Sequence, residues 1–478
     1  MRNAEYTRRQ FIAGLSASAA ALALSSRVFG EEKHVNPNVL LITADDMDHG
    51  SLGVTGCKIP GISPNLDALA ASGVRFEHAH VTSAICQPSR SVLMTGRYPH
   101  RNGAKGFEPI MEDVPTLGES LHKAGYLNGI LSKVGHLTPH PKFCWDVVVL
   151  PEELSSGRDP GLYYKHTKSF LEQAKAAGKP FFLMANSQDP HRPFPGSEKG
   201  TALARAARQY RPEEVEVPAF LPDGVPNIRK EVAQYFSAVH RCDETVGQIL
   251  RGLKEIGFED NTIVIFLSDN GMAFPFAKTN CYEASTRTPL IVRWPDRIKA
   301  GTINRGDMVS GIDLMPTVLD ALELERVEGL DGHSFLPLLK GKEQDGWDKV
   351  FTFITSTAGR GDFPMRGVRT TKRSYIFNAW SDGKTEFRNE SQGGLTWKAM
   401  LEAAEKDRKI AERVKLFRYR VPEEFYDLEE DPSELNNLIA SPEHKGEIGK
   451  LRAAMLRMME STKDPLLEAF KKRTRASS

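Results

Sequence analysis

Cys86-Gln87-Pro88-Ser89-Arg90-Ser91-Val92-Leu93-Met94-Thr95-Gly96 holds more chemistry than any other segment of the chain. A proline two residues after a cysteine suits the first turn of a helix, so Cys86 is expected beside a positive helix N-terminus, where an anion is stabilised. Residue types alone allow two readings: a buried cysteine at a helix start, or a reaction centre. Arg90 follows one helical turn later and can reach back to the same spot. Two acidic groups stand elsewhere, Asp45-Asp46 and Asp269-Asn270. Together they offer three carboxylates and an amide oxygen, hard donors that suit Ca2+ or Mg2+ rather than zinc. Either pair alone also reads as ordinary strand-end capping.

The elements that must position these groups follow from hydrophobic patterning. Continuous apolar runs over 36–44, 180–186 and 262–268 read as fully buried parallel strands, and each ends in an acidic loop: Asp45-Asp46, Asp189-Pro190-His191 and Asp269-Asn270-Gly271. Helical patterns over 65–72, 116–124 and 232–256 alternate with them. This alternation predicts an α/β fold with a mostly parallel sheet flanked by helices, with ligands outside the carboxyl ends of the strands. After about residue 345 the pattern changes to a smaller antiparallel α+β subdomain, with strands predicted over 349–355 and 366–378 and a charged, surface-lying helix over 397–417. The expected division is a leader over 1–30, a catalytic domain over 33–345 and a C-terminal subdomain over 346–478.

The 478 residues are 40% hydrophobic and 26% charged, enough for a sizeable core without disulfide staples. Lys plus Arg (63) nearly equals Asp plus Glu (62), so the +1 balance excludes a global attraction to nucleic acid or to an anionic membrane. Thr7-Arg8-Arg9-Gln10-Phe11, followed by a weakly apolar stretch to Ser26, has the layout of a twin-arginine export signal. That stretch is broken by serines and glycine and falls short of the roughly 20 residues of a membrane span, so no permanent membrane anchor is expected. A periplasmic or secreted protein, carried by the twin-arginine machinery, is the resulting expectation. Five widely spaced cysteines match no zinc pattern, and their odd number leaves at least one thiol unpaired.

The string Cys-x-Pro-Ser-Arg followed by Thr-Gly resembles the signature of the type I, formylglycine-dependent sulfatases. Asn38 to Asp46, Ser268-Asp269-Asn270-Gly271, Arg287-Thr288-Pro289-Leu290 and Glu424 to Asn437 sit in that family's order. The resemblance implies an alkaline-phosphatase-like core with a C-terminal antiparallel subdomain. It implies that a maturation enzyme oxidises Cys86 to formylglycine, whose hydrate attacks sulfur. It also implies a Ca2+ or Mg2+ site of Asp45, Asp46, Cys86, Asp269 and Asn270. Arg90, Lys133 and Lys278 would steady the sulfate oxygens, His191 would protonate the leaving group, and His136 would take a proton from the second hydroxyl so that sulfate is expelled. Lys133-Val134-Gly135-His136 is one residue longer than the family's Lys-x-His element, and His140 is a competitor for that role. Asp67 and His49, His78, His80, His100 and His122 are read as structural or exposed. Asp189-Pro190-His191-Arg192, the run from Ser268 to Asn280 and Phe363-Pro364-Met365-Arg366 look most like the heparan N-sulfatase branch. That branch carries a His-Glu pair where this chain has Thr355 to Asp362, so the resemblance implies a sulfated carbohydrate substrate, with N-sulfoglucosamine one candidate among O-sulfated sugars. Arg360, Arg366 and Arg369 are candidates to pair with the sugar's anionic groups, or are solvated surface charges. An arylsulfatase, or a phosphodiesterase or phosphonate ester hydrolase on the same fold, is the alternative.

Overall fold

The computed structural model describes residues 36–200, 206–358 and 360–476. The twin-arginine segment lies outside the described residues. Eight strands form the main sheet: β1 (Asn38–Ala44), β2 (Val74–His80), β3 (Leu127–Leu131), β4 (Val147–Val149), β5 (Phe181–Asn186), β6 (Thr262–Ser268), β7 (Leu290–Arg293) and β8 (Thr302–Ser310). Their order is β4-β3-β5-β1-β6-β7-β2-β8, and every pairing is parallel except the two that β7 makes. β1, β5 and β6 are buried along their whole length, as their unbroken apolar sequences require. Alternate β1 side chains feed two cores, Leu40 and Ile42 on one face, Val39 and Leu41 on the other.

The central order β5-β1-β6 decides where chemistry can happen. Ala44 pairs with Ser268 and Thr43 with Asn186, so the loops after three strands emerge side by side. Main-chain bonds tie them together: Asp45 N donates to Asp189 O (3.1 Å), and Asp269 N to Ala44 O (3.3 Å). Helix α1 (Cys86–Thr95) is buried at all ten positions and ends at Gly96, which adopts a left-handed φ of 60°. A Cβ there would stand 2.8 Å from Leu330 Cδ2, so conformation and space both call for glycine. Two long helices, α2 (Pro160–Ala177) and α3 (Ile228–Ile256), pack against each other on one face of the sheet.

A second, antiparallel sheet has the order β12-β11-β10-β9, from β9 (Val350–Ser356), β10 (Asp362–Arg369), β11 (Arg373–Asn378) and β12 (Glu423–Asp427). The single strand expected over 366–378 is two strands, because the chain reverses at 370–372, where Thr370 N donates to Arg373 O (2.9 Å). The surface helix expected over 397–417 is also two helices, α4 (Leu395–Ala404) and α5 (Arg408–Tyr419). Asp407 breaks the pattern by capping α5 through Lys409 N and Ile410 N. Trp397 and Phe417 are buried with ring centroids 4.6 Å apart, so the charges flank an apolar seam between the helices. Phe353 N of β9 donates to Thr82 O (2.7 Å), which joins the small sheet to the segment leading into α1. All five cysteines are free. Among the described residues no helix is long and apolar enough to cross a membrane.

Candidate active site

The three strand-end loops and the start of α1 converge on one buried cluster. Cys86 is the first residue of α1, and its Sγ lies 3.4 Å from Asp45 Oδ1. Ligand atoms of Asp45, Asp46, Cys86 and His191 all lie within 4.8 Å of one another. Asp46 sits at the centre with φ 72°, and Asn270 Nδ2 donates to its Oδ1 (2.7 Å). Asp269 accepts from Asp46 N through Oδ1 (3.2 Å) and from Arg90 Nη2 through Oδ2 (2.7 Å). Gly271 lets this loop close down, since a Cβ there would stand 1.9 Å from Ala284 O.

Each buried aspartate has its own cation. Lys133 Nζ pairs with Asp45 Oδ2, Arg90 with Asp269, and Lys278 Nζ with Asp46 Oδ1 at 2.7 Å. Burial opposes the charge of Asp45, yet Lys133, His191, Arg90 and Lys278 hold its carboxyl well below the usual range. Asp269 goes the other way: burial, with Asp45 beside it, raises its carboxyl to about 7 against the pull of Arg90. Arg90 is fully buried and also donates through Nη1 to Thr43 Oγ1 and Asn186 Oδ1, both at 2.6 Å. Its hydrogen bonds therefore go to the sheet and to Asp269 rather than back to Cys86. Burial, and Asp45 after it, raise the Cys86 thiol well above its ordinary value, so the sulfur is neutral and a poor nucleophile as it stands.

Lys133 adopts φ 56° and follows Ser132 at φ 60°, while Phe276 (φ 70°) and Thr279 (φ 61°) bracket Lys278. Left-handed backbone costs a non-glycine residue about 1–2 kcal/mol, and its concentration here fits side chains held where the site needs them. His136 ends the short 3-10 turn Val134–His136, its Nδ1 buried without a partner and its ring edge-on to Phe107 at 5.6 Å. Burial, with Lys133 and Arg90 nearby, pushes it down to about 3, so it stays neutral. His140 is exposed. His191 is anchored by Nδ1 against Arg192 O, and its Nε2 lies 3.3 Å from Glu390 Oε1 and 4.0 Å from Asp46 Oδ2. Burial and Lys278 resist a charge on this ring, but Asp46, Glu390 and Asp45 outweigh them and raise its pKa.

Residues 37–324 match the family model Sulfatase, and residues 272–378 match N-sulphoglucosamine sulphohydrolase, C-terminal. The chain belongs to the sulfatase family. It is 29% identical to N-sulphoglucosamine sulphohydrolase of Homo sapiens, over 90% of this chain and 91% of that protein. It is 28% identical to an ulvan-active sulfatase of Formosa agariphila, over 90% of this chain and 82% of that one. Two solved structures share the fold. One was determined with its substrate D-glucosamine-2-N,6-O-disulfate (TM-score 0.66, 20% identity, 90% of this chain and 99% of that one). The other is the phosphonate monoester hydrolase of Agrobacterium radiobacter (TM-score 0.68, 19% identity, 89% and 96%).

As a sulfatase the protein is a sulfuric ester hydrolase, and its site suits a hard divalent cation. Asn270 Oδ1 is buried with no hydrogen-bond partner, on a side chain whose Nδ2 bonds the Asp46 carboxylate. An unmatched amide oxygen in such a place is costly unless an electropositive group meets it. Glu390, from the 3-10 turn Glu390–Gly393, is the group that the motifs missed. Its Oε2 lies 2.8 Å from Lys278 Nζ, and Arg360 Nη1 donates to the neighbouring Asn389 O (3.1 Å). Arg366 and Arg369 are neither surface charges nor pocket groups. Arg366 is buried against Asp464 (2.6 Å) and ties the small sheet to the C-terminal helices, while Arg369, between Glu434 (2.8 Å) and Glu283 (2.7 Å), ties it to the main body. Asp67 accepts from Val54 N (3.0 Å) and Ser63 Oγ (2.9 Å) and only braces its own helix start.

Proposed function

We propose that this sulfatase hydrolyses sulfate esters, and within the same pocket sulfamates, of carbohydrates, with Cys86 converted to formylglycine and Ca2+ or Mg2+ held by Asp45, Asp46, Asp269 and Asn270, beside residue 86. The observation that carries the reading is the placement of Cys86: first in a buried helix, 3.4 Å from Asp45, as a neutral thiol with little reactivity of its own. A formylglycine at this position supplies a geminal diol, an oxygen nucleophile with a second hydroxyl for release of the sulfate. A divalent cation lowers the pKa of an oxygen bound to it and polarises the sulfate.

The chain's own residues do the rest. Lys133 and Lys278, each on a buried aspartate, face the reaction centre and balance charge on sulfate oxygens. Arg90 holds Asp269 in place. His191, with its raised pKa and its Nε2 free of the main chain, keeps a proton for the departing oxygen or nitrogen. His136 is the proposed acceptor of the second hydroxyl's proton, against the resistance to charge that burial and Lys133 impose on its ring. The two sheets support a catalytic domain over 33–345 and a C-terminal subdomain over 346–478. The names of the human and Formosa relatives point to saccharide substrates.

The test is a panel of N- and O-sulfated mono- and disaccharides beside an aryl sulfate, with peptide mass spectrometry of the same sample. Highest catalytic efficiency on a sugar is expected, with residue 86 lightened by about 18 Da. Efficiency highest on the aryl sulfate with every sugar at background would overturn the carbohydrate assignment. An active sample with Cys86 unconverted would overturn the formylglycine assignment.

A further inference from the structure

Glu390 reaches the site from a segment with no motif, and each of its oxygens meets a different cation: Lys278 Nζ at 2.8 Å and His191 Nε2 at 3.3 Å. Neither cation needs it for anchorage. Asp46 already holds Lys278 at 2.7 Å, and the Nδ1 contact with Arg192 O already holds the imidazole. Asp45, Asp46 and Asp269 are matched by Lys133, Lys278 and Arg90, which leaves Glu390 as the fourth carboxylate of the cluster, facing His191 and sharing Lys278 with Asp46. It is also the accessible one, with 32% of its side chain exposed while Asp45, Asp46 and Asp269 are sealed. Its charge is secure: burial opposes it, but Lys278 and His191 hold the carboxyl well below the usual range.

We propose that Glu390 sets the charge selectivity of the site, favouring a tetrahedral ester with one negative charge over one with two. Sulfate monoesters carry one. Phosphate monoesters, with a second pKa near 6, carry two at mildly alkaline pH. The two esters have the same shape and the same oxygens, so the lysines and the helix N-terminus cannot separate them by geometry. A fixed negative charge on the entry side can, since the extra charge of the phosphate must sit close to it in a site shielded from water. The inference rests on the sulfatase reading and adds the means by which sulfate is told from phosphate.

The experiment measures binding rather than turnover. On a Cys86→Ala background in calcium-containing buffer at about pH 8, calorimetry gives Kd for three probes: 4-nitrophenyl sulfate, 4-nitrophenyl methylphosphonate (one charge each) and 4-nitrophenyl phosphate (two). Adding Glu390→Gln should strengthen phosphate binding relative to sulfate by about tenfold or more, with the phosphonate moving in step with the sulfate. Glu390→Asp keeps the charge and should keep the original ratio. A common change for all three probes would leave Glu390 a structural pairing group and overturn the proposal. So would a phosphonate that follows the phosphate, or a Glu390-intact protein that binds sulfate and phosphate esters equally or binds neither. Failure of the sulfatase reading is seen separately, as unsubstituted protein that hydrolyses no sulfate ester.

Discussion

Arg90→Met tests whether the buried Arg90–Asp269 pair holds the site together, and its effect has a calculable pH dependence. In the folded protein Arg90 Nη2 lies 2.7 Å from Asp269 Oδ2, both side chains sealed from solvent. Burial and Asp45 raise the Asp269 carboxyl from 3.8 to about 7, and Arg90 opposes that rise. A carboxyl whose native pKa is raised binds its proton more tightly in the folded state. It therefore favours folding at low pH, and that contribution fades as pH climbs from 3.8 through about 7. Without Arg90 the native value moves higher still, so stability goes on falling above neutrality, by about 1.4 kcal/mol per pH unit. At about pH 6 the acid is protonated with or without Arg90. The variant then loses mainly the bonds to Thr43 and Asn186, which stay bonded to each other (2.8 Å), a cost of about 1–2 kcal/mol. By about pH 8.5 a further loss of roughly 2 kcal/mol should have opened. Urea unfolding of both proteins in excess chelator, so that no cation replaces the guanidinium of Arg90, measures the gap. A gap flat to within about 0.5 kcal/mol over that range would refute the reasoning, and so would the same slope on an Asp269→Asn background.

Other outcomes follow from the same geometry. Cys86→Ala should abolish turnover while leaving the unfolding transition nearly unchanged, because the side chain is small and its sulfur makes one weak hydrogen bond, 3.4 Å to Asp45; substantial multiple turnover would end the proposed nucleophile. Chelator-stripped protein should be inactive and recover with Ca2+ or Mg2+, and Asn270→Ala should weaken calcium binding in calorimetry by about tenfold or more; full activity in a sample metal-free by elemental analysis would count against the site. Export should depend on Arg8 and Arg9, so Arg8→Lys/Arg9→Lys protein recovered from the periplasm at the normal rate would show the leader to be misread.

The site's frame was legible because chemistry and strand patterning coincide. Continuous apolar runs mark strands buried on both faces, and in a parallel sheet the residues just past such runs come together at one edge. Strand patterning alone therefore brings Asp45 and Asp46 beside Asp269 and Asn270, although the two pairs lie more than 200 residues apart in the chain. Cys86 was legible for a different reason, since the proline two residues after it marks the first turn of a helix, which the structure shows running from Cys86 to Thr95. Arg90 was found but its partners were not: Thr43 and Asn186 are ordinary strand residues, whose relation to it depends on register alone.

What could not be read belongs to contacts between distant segments with no local periodicity. Glu390 lies in a short turn whose sequence would suit any surface loop, and three long-range bonds fix its place. Asn389 Nδ2 donates to Lys278 O (2.9 Å), and the carboxylate of Glu231 in α3 accepts from Leu395 N and Thr396 N at the start of α4. The same Glu231 carboxylate pairs with Arg192 (2.9 Å), so one side chain of α3 fixes both the loop that carries His191 and the segment that carries Glu390. Arg366 and Arg369 misled for the matching reason. A charged residue in a strand reads as solvent-facing unless its partner is known, and here the partners, Asp464 and Glu434, stand 98 and 65 residues further along. Charge in this chain therefore divides by role. Arg366 and Arg369, buried against acids, lock the small sheet to the segments around it, while the paired carboxylates and lysines at the strand ends, with the unpartnered Asn270 oxygen among them, are left to meet a ligand.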